Sequence, residues 1–128
     1  MIIPDIGIKL LVEDGFLPPG LTIGPSSVDL TLSDSFSWPE PEKDKIILGE
    51  SVPHKQVQKD EFVLEQNHFV LASTAESIRV PHDMAAYMEG RSSIGRLGLQ
   101  VQNAGFIDGG FQGQITLELK NPCGFPVV

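Results

Sequence analysis

Residues 90–119, GRSSIGRLGLQVQNAGFIDGGFQGQITLEL, set the terms for the rest of the chain. The stretch opens on Gly90, Arg91, Ser92 and Ser93, passes through a glycine-punctuated turn carrying Asp108, and closes on QITLEL, where apolar and polar residues alternate. That alternation predicts a strand with Ile115, Leu117 and Leu119 on one face and Thr116 and Glu118 on the other. LGLQVQ reads as a second strand, and NAGFIDGGFQG as a turn-rich connection between the two. Short strands separated by turn signals at intervals of roughly eight to twelve residues predict an all-β barrel or sandwich.

The flanking sequence agrees. SVDLTLSDSFSW, residues 27–38, alternates with Val28, Leu30 and Leu32 on one side and Asp29, Thr31 and Ser33 on the other, which predicts a half-buried strand. EFVLEQNHFVLASTAESIRV, residues 61–80, holds two strand-like runs, around Phe62–Leu64 and Phe69–Ala72. Between these regions lie the charged loop PEPEKDK, the short segment KIILGE and a polar stretch to Asp60. Pro81 and His82 turn the chain toward MAAYMEG and the central stretch. One helix is expected, over DIGIKLLVED at residues 5–14, with Asp5 as its cap, Ile6 and Leu10 (and Ile3) sharing a face, and Gly15 ending it. FLPPGLTIGPSS then runs extended. The chain stops at PCGFPVV without a closing strand, so the expectation is one β domain over residues 1–128 that lacks its native C-terminal strands and tail.

Composition narrows the function. The net charge of −8 and pI near 4.7 disfavour general binding to nucleic acid or to an anionic membrane. No apolar run approaches the ~18 residues of a membrane-spanning helix. The start lacks the basic region of a signal peptide, and the single cysteine, Cys123, fits a reducing compartment, so a cytoplasmic protein is expected. His54, His68 and His82 are scattered, and one cysteine cannot supply the His/Cys/Cys set of a zinc-dependent deaminase. No serine lies in a G-x-S-x-G elbow, and no Walker-type loop is present.

What remains is the central stretch. Arg91, Ser92, Ser93 and Arg96 combine fork-shaped guanidinium donors, hydroxyls and glycine-freed backbone, the set that holds a triphosphate. A solvated polar turn accounts for the same residues. Asp108 can accept from a sugar hydroxyl or bond its own turn, Glu118 can be a base or a solvent-facing glutamate, and Phe111 can stack on a ligand or fill core. The loop PEPEKDK and Cys123 read as solvated loop and small core residue.

At GRSSIGRLGL, AGFIDGGFQG and ITLEL the sequence resembles the dCTP deaminase family of the dUTPase-like superfamily, with weaker similarity through PSSVDLTL and VLASTAESIRVP. The resemblance implies a distorted, jelly-roll-like β-barrel with a short N-terminal helix, assembled as a homotrimer with active sites between subunits. It implies deamination of dCTP to dUTP without zinc. Glu118 matches the general base. Ser92 and the carbonyl of Ala104 match the groups that position the attacking water, and Arg96 matches the arginine beside the reacting centre. Arg91, Ser92 and Ser93 match phosphate binders, with Ile94 and Gly95 in the same substrate-binding turn. Asp108 matches the contact to the 3′-hydroxyl, and Thr116–Leu117 the backbone that reads the base. Magnesium is expected on the triphosphate, and dTTP is a candidate inhibitor. The run Ala104-Gly105-Phe106-Ile107-Asp108 looks like the version in bifunctional members, which carry dCTP through to dUMP and pyrophosphate; there Gly105 and Phe106 mark the second activity and Asp108 helps activate its water. Deaminase-only members tend to carry bulkier polar residues after the alanine. The segment from Leu99 through Gln102 and Asn103 to Ala104 is shorter than in many family deaminases and nearer to dUTPases. The alternatives are therefore a dUTPase-only enzyme and a catalytically silent nucleotide-binding protein.

Overall fold

The computed structural model describes residues 1–101 and 105–128. In chain order the elements are α1 (Asp5–Glu13), β1 (Leu32–Pro39), β2 (His54–Gln58), β3 (Phe69–Arg79), β4 (Ala86–Tyr87), α2 (Ser92–Gly95), β5 (Gln100–Val101), β6 (Phe106–Ile107) and β7 (Gln112–Lys120). Five strands form a sheet in the order β2-β1-β3-β7-β5, and β4 pairs with β6 in a second, two-stranded sheet. The mainly β class with a short N-terminal helix is as the sequence predicts. Among the described residues no helix is long and apolar enough to cross a membrane.

The chain divides into two compact units. The first comprises Met1–Ser33, Thr74–Glu89 and Ala104–Thr116, and the second Asp34–Ser73, Gly90–Asn103 and Leu117–Val128. β1, β3 and β7 each run from one unit into the other.

In the first unit Ile8, Leu17, Ile78, Val80, Ile107 and Ile115 are buried, with Thr74 among them. The helix α1 starts at Asp5 itself, so its cap lies one residue earlier than expected. Pro4 takes the cap position with extended backbone and no side-chain cap. The Asp5 amide instead donates to Pro25 O at 2.9 Å, so the loop satisfies a donor that a cap would otherwise serve. The Asp5 carboxylate accepts from Lys9 Nζ at 2.7 Å, and that bond holds its pKa below the ordinary value. Gly15, at φ +74°, ends the helix as expected. The face that Ile6 and Leu10 share is not the buried one. Ile6 and Leu10 are 66% and 53% exposed, whereas Ile8 is buried and Leu11 and Val12 are half-buried. DIGIKLLVE carries two apolar stripes at helical spacing, Ile6–Leu10 and Ile8–Leu11–Val12, and periodicity alone does not choose between them.

The second unit is built on Phe36, Leu64, Val70, Ala72 and Leu119, with Trp38, Val57, Phe62, Leu99, Val101 and Leu117 packed against them. Phe36 stacks on Phe62 with ring centroids 4.5 Å apart. β1 pairs antiparallel with β2, placing Phe36 opposite Val57 and Trp38 opposite Lys55. β1 begins at Leu32, several residues later than the alternation of residues 27–38 suggests, because Val28 is spent on an isolated bridge to Ile23. Of the two runs in residues 61–80, only the second is a strand. Leu64 makes a lone bridge to Val127, and β3 extends to Arg79.

Candidate active site

The sequence-predicted site residues fall into two groups, one in each unit. The second unit holds Arg91, Ser92, Ser93, Ile94, Gly95 and Arg96 on α2 and its flanks, and Leu117 and Glu118 on β7. The first holds Gly105, Phe106, Asp108 and Thr116. Ala104, Gln102 and Asn103 lie outside the described residues.

α2 turns the expected polar turn into one helical turn. The amides of Ile94 and Gly95 both donate to Arg91 O, at 3.0 and 2.9 Å, and the Arg96 amide donates to Ser92 O at 2.9 Å. Every residue from Arg91 to Leu97 is exposed. Four residues are too few to hold a helix by themselves, and contacts at the two ends fix the turn. At the entry, Gly90 packs on Val101, whose side chain would lie 2.8 Å from any Cβ at position 90. Val101 pairs with Leu119, the residue after Glu118, through the antiparallel β5–β7 register. At the exit, Gly98 adopts φ +97° and packs directly against the sulfur of Cys123. Cys123 Sγ also donates to Leu97 O at 3.3 Å. The basic, hydroxyl-rich turn is thus anchored to the strand carrying Glu118 and to the segment that follows it.

Glu118 sits half-buried on β7, between the exposed Thr116 and the half-buried Lys120 on the polar side; Ile115 and Leu119 are buried on the other. This is the face assignment that alternation predicts.

In the first unit the glycine-rich loop is clamped against residues 80–88. β6 pairs antiparallel with β4, setting Phe106 opposite Tyr87 and Ile107 opposite Ala86. The Met88 amide donates to Gly105 O at 2.7 Å, the Gly110 amide to Val80 O at 2.9 Å, and the Val80 amide to Phe111 O at 2.9 Å. A Cβ at Gly105 would collide with the Met88 carbonyl oxygen and lie 3.3 Å from the Tyr87 ring. Asp108 is exposed, its carbonyl accepting from the Phe111 amide at 3.2 Å. Phe106 is 65% exposed, so its ring is available at the surface. Further along, the Ile115 amide donates to the buried Thr74 hydroxyl at 2.9 Å, just before Thr116.

Sequence reading missed three polar groups. Asn121 is fully buried and donates to Leu64 O and Phe125 O, both at 2.8 Å, while its Oδ1 accepts from the Cys123 amide at 3.0 Å. Nothing in KNPCG distinguishes it from a turn asparagine. Cys123 is half-buried and hydrogen-bonded rather than a plain core residue. Glu76 takes the Thr31 amide at 2.9 Å and the Thr31 hydroxyl at 2.7 Å. Burial pushes the Glu76 carboxyl up, but those two bonds outweigh it and hold the pKa below its ordinary value.

An open dish of about 260 Å³ lies elsewhere, in the loop after β1; Pro41, Ile46, Ile47 and Val52 line it, and none of the predicted site residues does. Among the described residues no three His, Cys, Asp or Glu side chains are placed to hold a metal ion.

The sequence profile of the dCTP deaminase-like family matches residues 7–128. The chain is 48% identical over 103 residues to a protein from Hydrogenobaculum sp. (strain Y04AAS1) named dCTP deaminase, dUMP-forming; the match covers 80% of this chain and 58% of that one. It is 40% identical to a protein of the same name from Sulfurihydrogenibium sp. (strain YO3AOP1), over 99% of this chain and 76% of the relative. Among solved structures, the 2'-deoxycytidine 5'-triphosphate deaminase from Agrobacterium tumefaciens superposes with a TM-score of 0.73 at 23% identity, over 98% of this chain and 43% of that one, a likeness of fold. By its profile and its relatives, this chain belongs to the dCTP deaminase-like family.

Proposed function

We propose that the chain carries nucleotide-binding and catalytic residues of an enzyme that deaminates dCTP and couples the deamination to release of dUMP and pyrophosphate. One observation carries the coupled reading. Gly105 has no room for a side chain against Met88 and Tyr87, and it stands in a chain similar over nearly its whole length to a protein named for the dUMP-forming reaction.

In this reading Glu118 takes a proton from a water held by Ser92 and the Ala104 carbonyl. The hydroxide attacks C4 of cytosine, Glu118 passes the water's proton to the ring nitrogen, and it then moves the proton of the new C4 hydroxyl to the amino group, which leaves as ammonia while the C4 carbonyl forms. Arg96 offsets charge that builds up beside the reacting carbon. Arg91, Ser92 and Ser93, with Ile94 and Gly95 in the same turn, bind phosphate, and the backbone at Thr116–Leu117 reads the base. Asp108 holds the 3′-hydroxyl and helps activate a second water, which attacks the α-phosphate and expels pyrophosphate. One dCTP and two waters thus give dUMP, ammonia and pyrophosphate. Magnesium travels with the triphosphate, whose oxygens hold it; the described residues offer it no cluster of their own. The assembly is a cytoplasmic homotrimer in which neighbouring copies complete each site, and dTTP competes at the same site.

The test is to incubate the chain with dCTP and magnesium and to measure nucleotides, ammonia and pyrophosphate. Equal dUMP, ammonia and pyrophosphate are expected. In Glu118→Gln, ammonia release should fall by at least about 10³-fold, with dCTP affinity within a few-fold of the parent. Retained deamination in that variant sinks the assignment of the base. Accumulating dUTP without pyrophosphate would limit the enzyme to deamination, pyrophosphate from dUTP with no ammonia from dCTP would make it a dUTPase, and binding without turnover a silent nucleotide-binding protein.

A further inference from the structure

The turn that presents Arg91 through Arg96 has almost no packing of its own, so what fixes it decides how well it can present donors. Its exit is held by one side chain. Cys123 Sγ donates to Leu97 O at 3.3 Å and fills the space over Gly98, where φ is +97°. Cys123 lies on an irregular segment after β7, and another side chain fixes its backbone in turn: Asn121 Oδ1 accepts from the Cys123 amide at 3.0 Å. Asn121 is itself immobilised. Its Nδ2 donates to Leu64 O and Phe125 O at 2.8 Å each, its own amide donates to His68 O at 3.1 Å, and its carbonyl accepts from the Asn67 amide at 2.7 Å. It is fully buried and every polar group it carries is engaged. A buried, saturated amide of this kind is rigid, because any displacement leaves donors or acceptors unpaired away from bulk solvent. Asn121 stands three residues after Glu118 on the same continuous chain.

We propose that Asn121 and Cys123 form a positioning latch that fixes the Leu97–Gly98 turn, and with it Arg96 and α2, relative to the strand bearing Glu118. Neither residue touches substrate. The latch sets the spacing between the phosphate-binding turn and the base-bearing strand, and its functional part rests on the deaminase reading given above. A thiol suits the position. Sulfur is large enough to fill the gap over a glycine and is a weak donor, so most of the latch is packing.

The experiment compares the parent chain with Cys123→Ala and Cys123→Ser by hydrogen exchange at the amides of residues 94–98 and by steady-state kinetics with dCTP. In Cys123→Ala we expect about tenfold faster exchange at these amides than in the parent, with no change at β3. For the folded enzyme, kcat/KM for dCTP should fall about three- to tenfold. Cys123→Ser, which keeps a donor, should recover part of both effects. Unchanged exchange at 94–98 in Cys123→Ala would overturn the latch. Faster exchange with unchanged kcat/KM in an active enzyme would overturn its role in positioning. A fall in activity that only matches the loss of folded protein would do the same, since that is the mark of a merely structural residue. If the parent chain turns over no dCTP, the deaminase reading fails by itself and the exchange data alone decide the latch. Asn121→Asp, which loses the two Nδ2 bonds, is the second variant; faster exchange at 94–98 is expected there too, and parent-like exchange would count against the proposal.

Discussion

The two glycine-bearing segments of this chain are held in opposite ways. The loop from Gly105 to Gly110 is pressed backbone to backbone against residues 80–88, through the β4–β6 pair and main-chain hydrogen bonds at both ends. The turn from Arg91 to Gly98 stands exposed and is tied at its ends through side chains, Val101 at one and Cys123 at the other. Backbone contact fixes shape whatever the neighbouring side chains are, and it tolerates no added volume. Side-chain ties fix shape only as well as those two residues do, and they leave an outward surface free for ligand groups. The first segment is where conformation is stored and the second where donors are presented.

This contrast predicts different penalties for the same substitution. Gly105→Ala should be the most damaging to stability, because the new methyl meets a main-chain oxygen that the Met88–Gly105 hydrogen bond keeps in place. A loss of about 2–3 kcal/mol is expected from denaturant unfolding; a loss near zero would show that the clamp yields. Gly98→Ala also meets an atom, the Cys123 sulfur, but should cost less, about 1–2 kcal/mol with the backbone at φ +97° included, because a side-chain thiol can rotate aside where the Met88 carbonyl cannot. Its larger consequence should be a raised KM for dCTP. Equal stability losses in the two variants would erase the distinction between segments.

A smaller effect separates backbone clamping from polar ties within the first unit. Glu76 has a folded pKa below its unfolded value, so the stability it contributes is present at neutral pH and is lost as pH falls through the ordinary glutamate range near 4.5 and below. Thr31→Val removes the hydroxyl that causes part of this shift. After allowance for solvent screening the change at pH 7 should stay under ~1 kcal/mol, and the acid limb of the stability profile should flatten. An unaltered profile between pH 3 and 6 (about the window in which a carboxylate titrates) would show that the Thr31 amide alone holds Glu76.

Strand β7 was legible because one face is buried and the other is not, so Ile115 and Leu119 declare the register and place Glu118 with it. The family motifs in the central stretch located the remaining candidate residues, which composition and periodicity left open. β2 was not legible. HKQVQ is polar and mostly exposed, as an edge strand should be, and only the pairing of Val57 with Phe36 reveals it. Which face of α1 is buried was not legible, because two apolar stripes satisfy the same period. Asn121 and Cys123 were invisible for another reason: their importance lies in contacts to Leu64 and Leu97, far away in sequence, and no local pattern encodes such a contact.

The close approach at Gly105 also bears on how this chain can change. Every residue type but glycine brings a Cβ, and here a Cβ has nowhere to go unless the Met88 carbonyl moves. A larger residue after Ala104 is therefore not one mutational step away; the 86–88 segment has to shift first or at the same time. Along this path Gly105 and β4 behave as one inherited unit, so a chain with a different residue at 105 should also differ in the backbone that faces it.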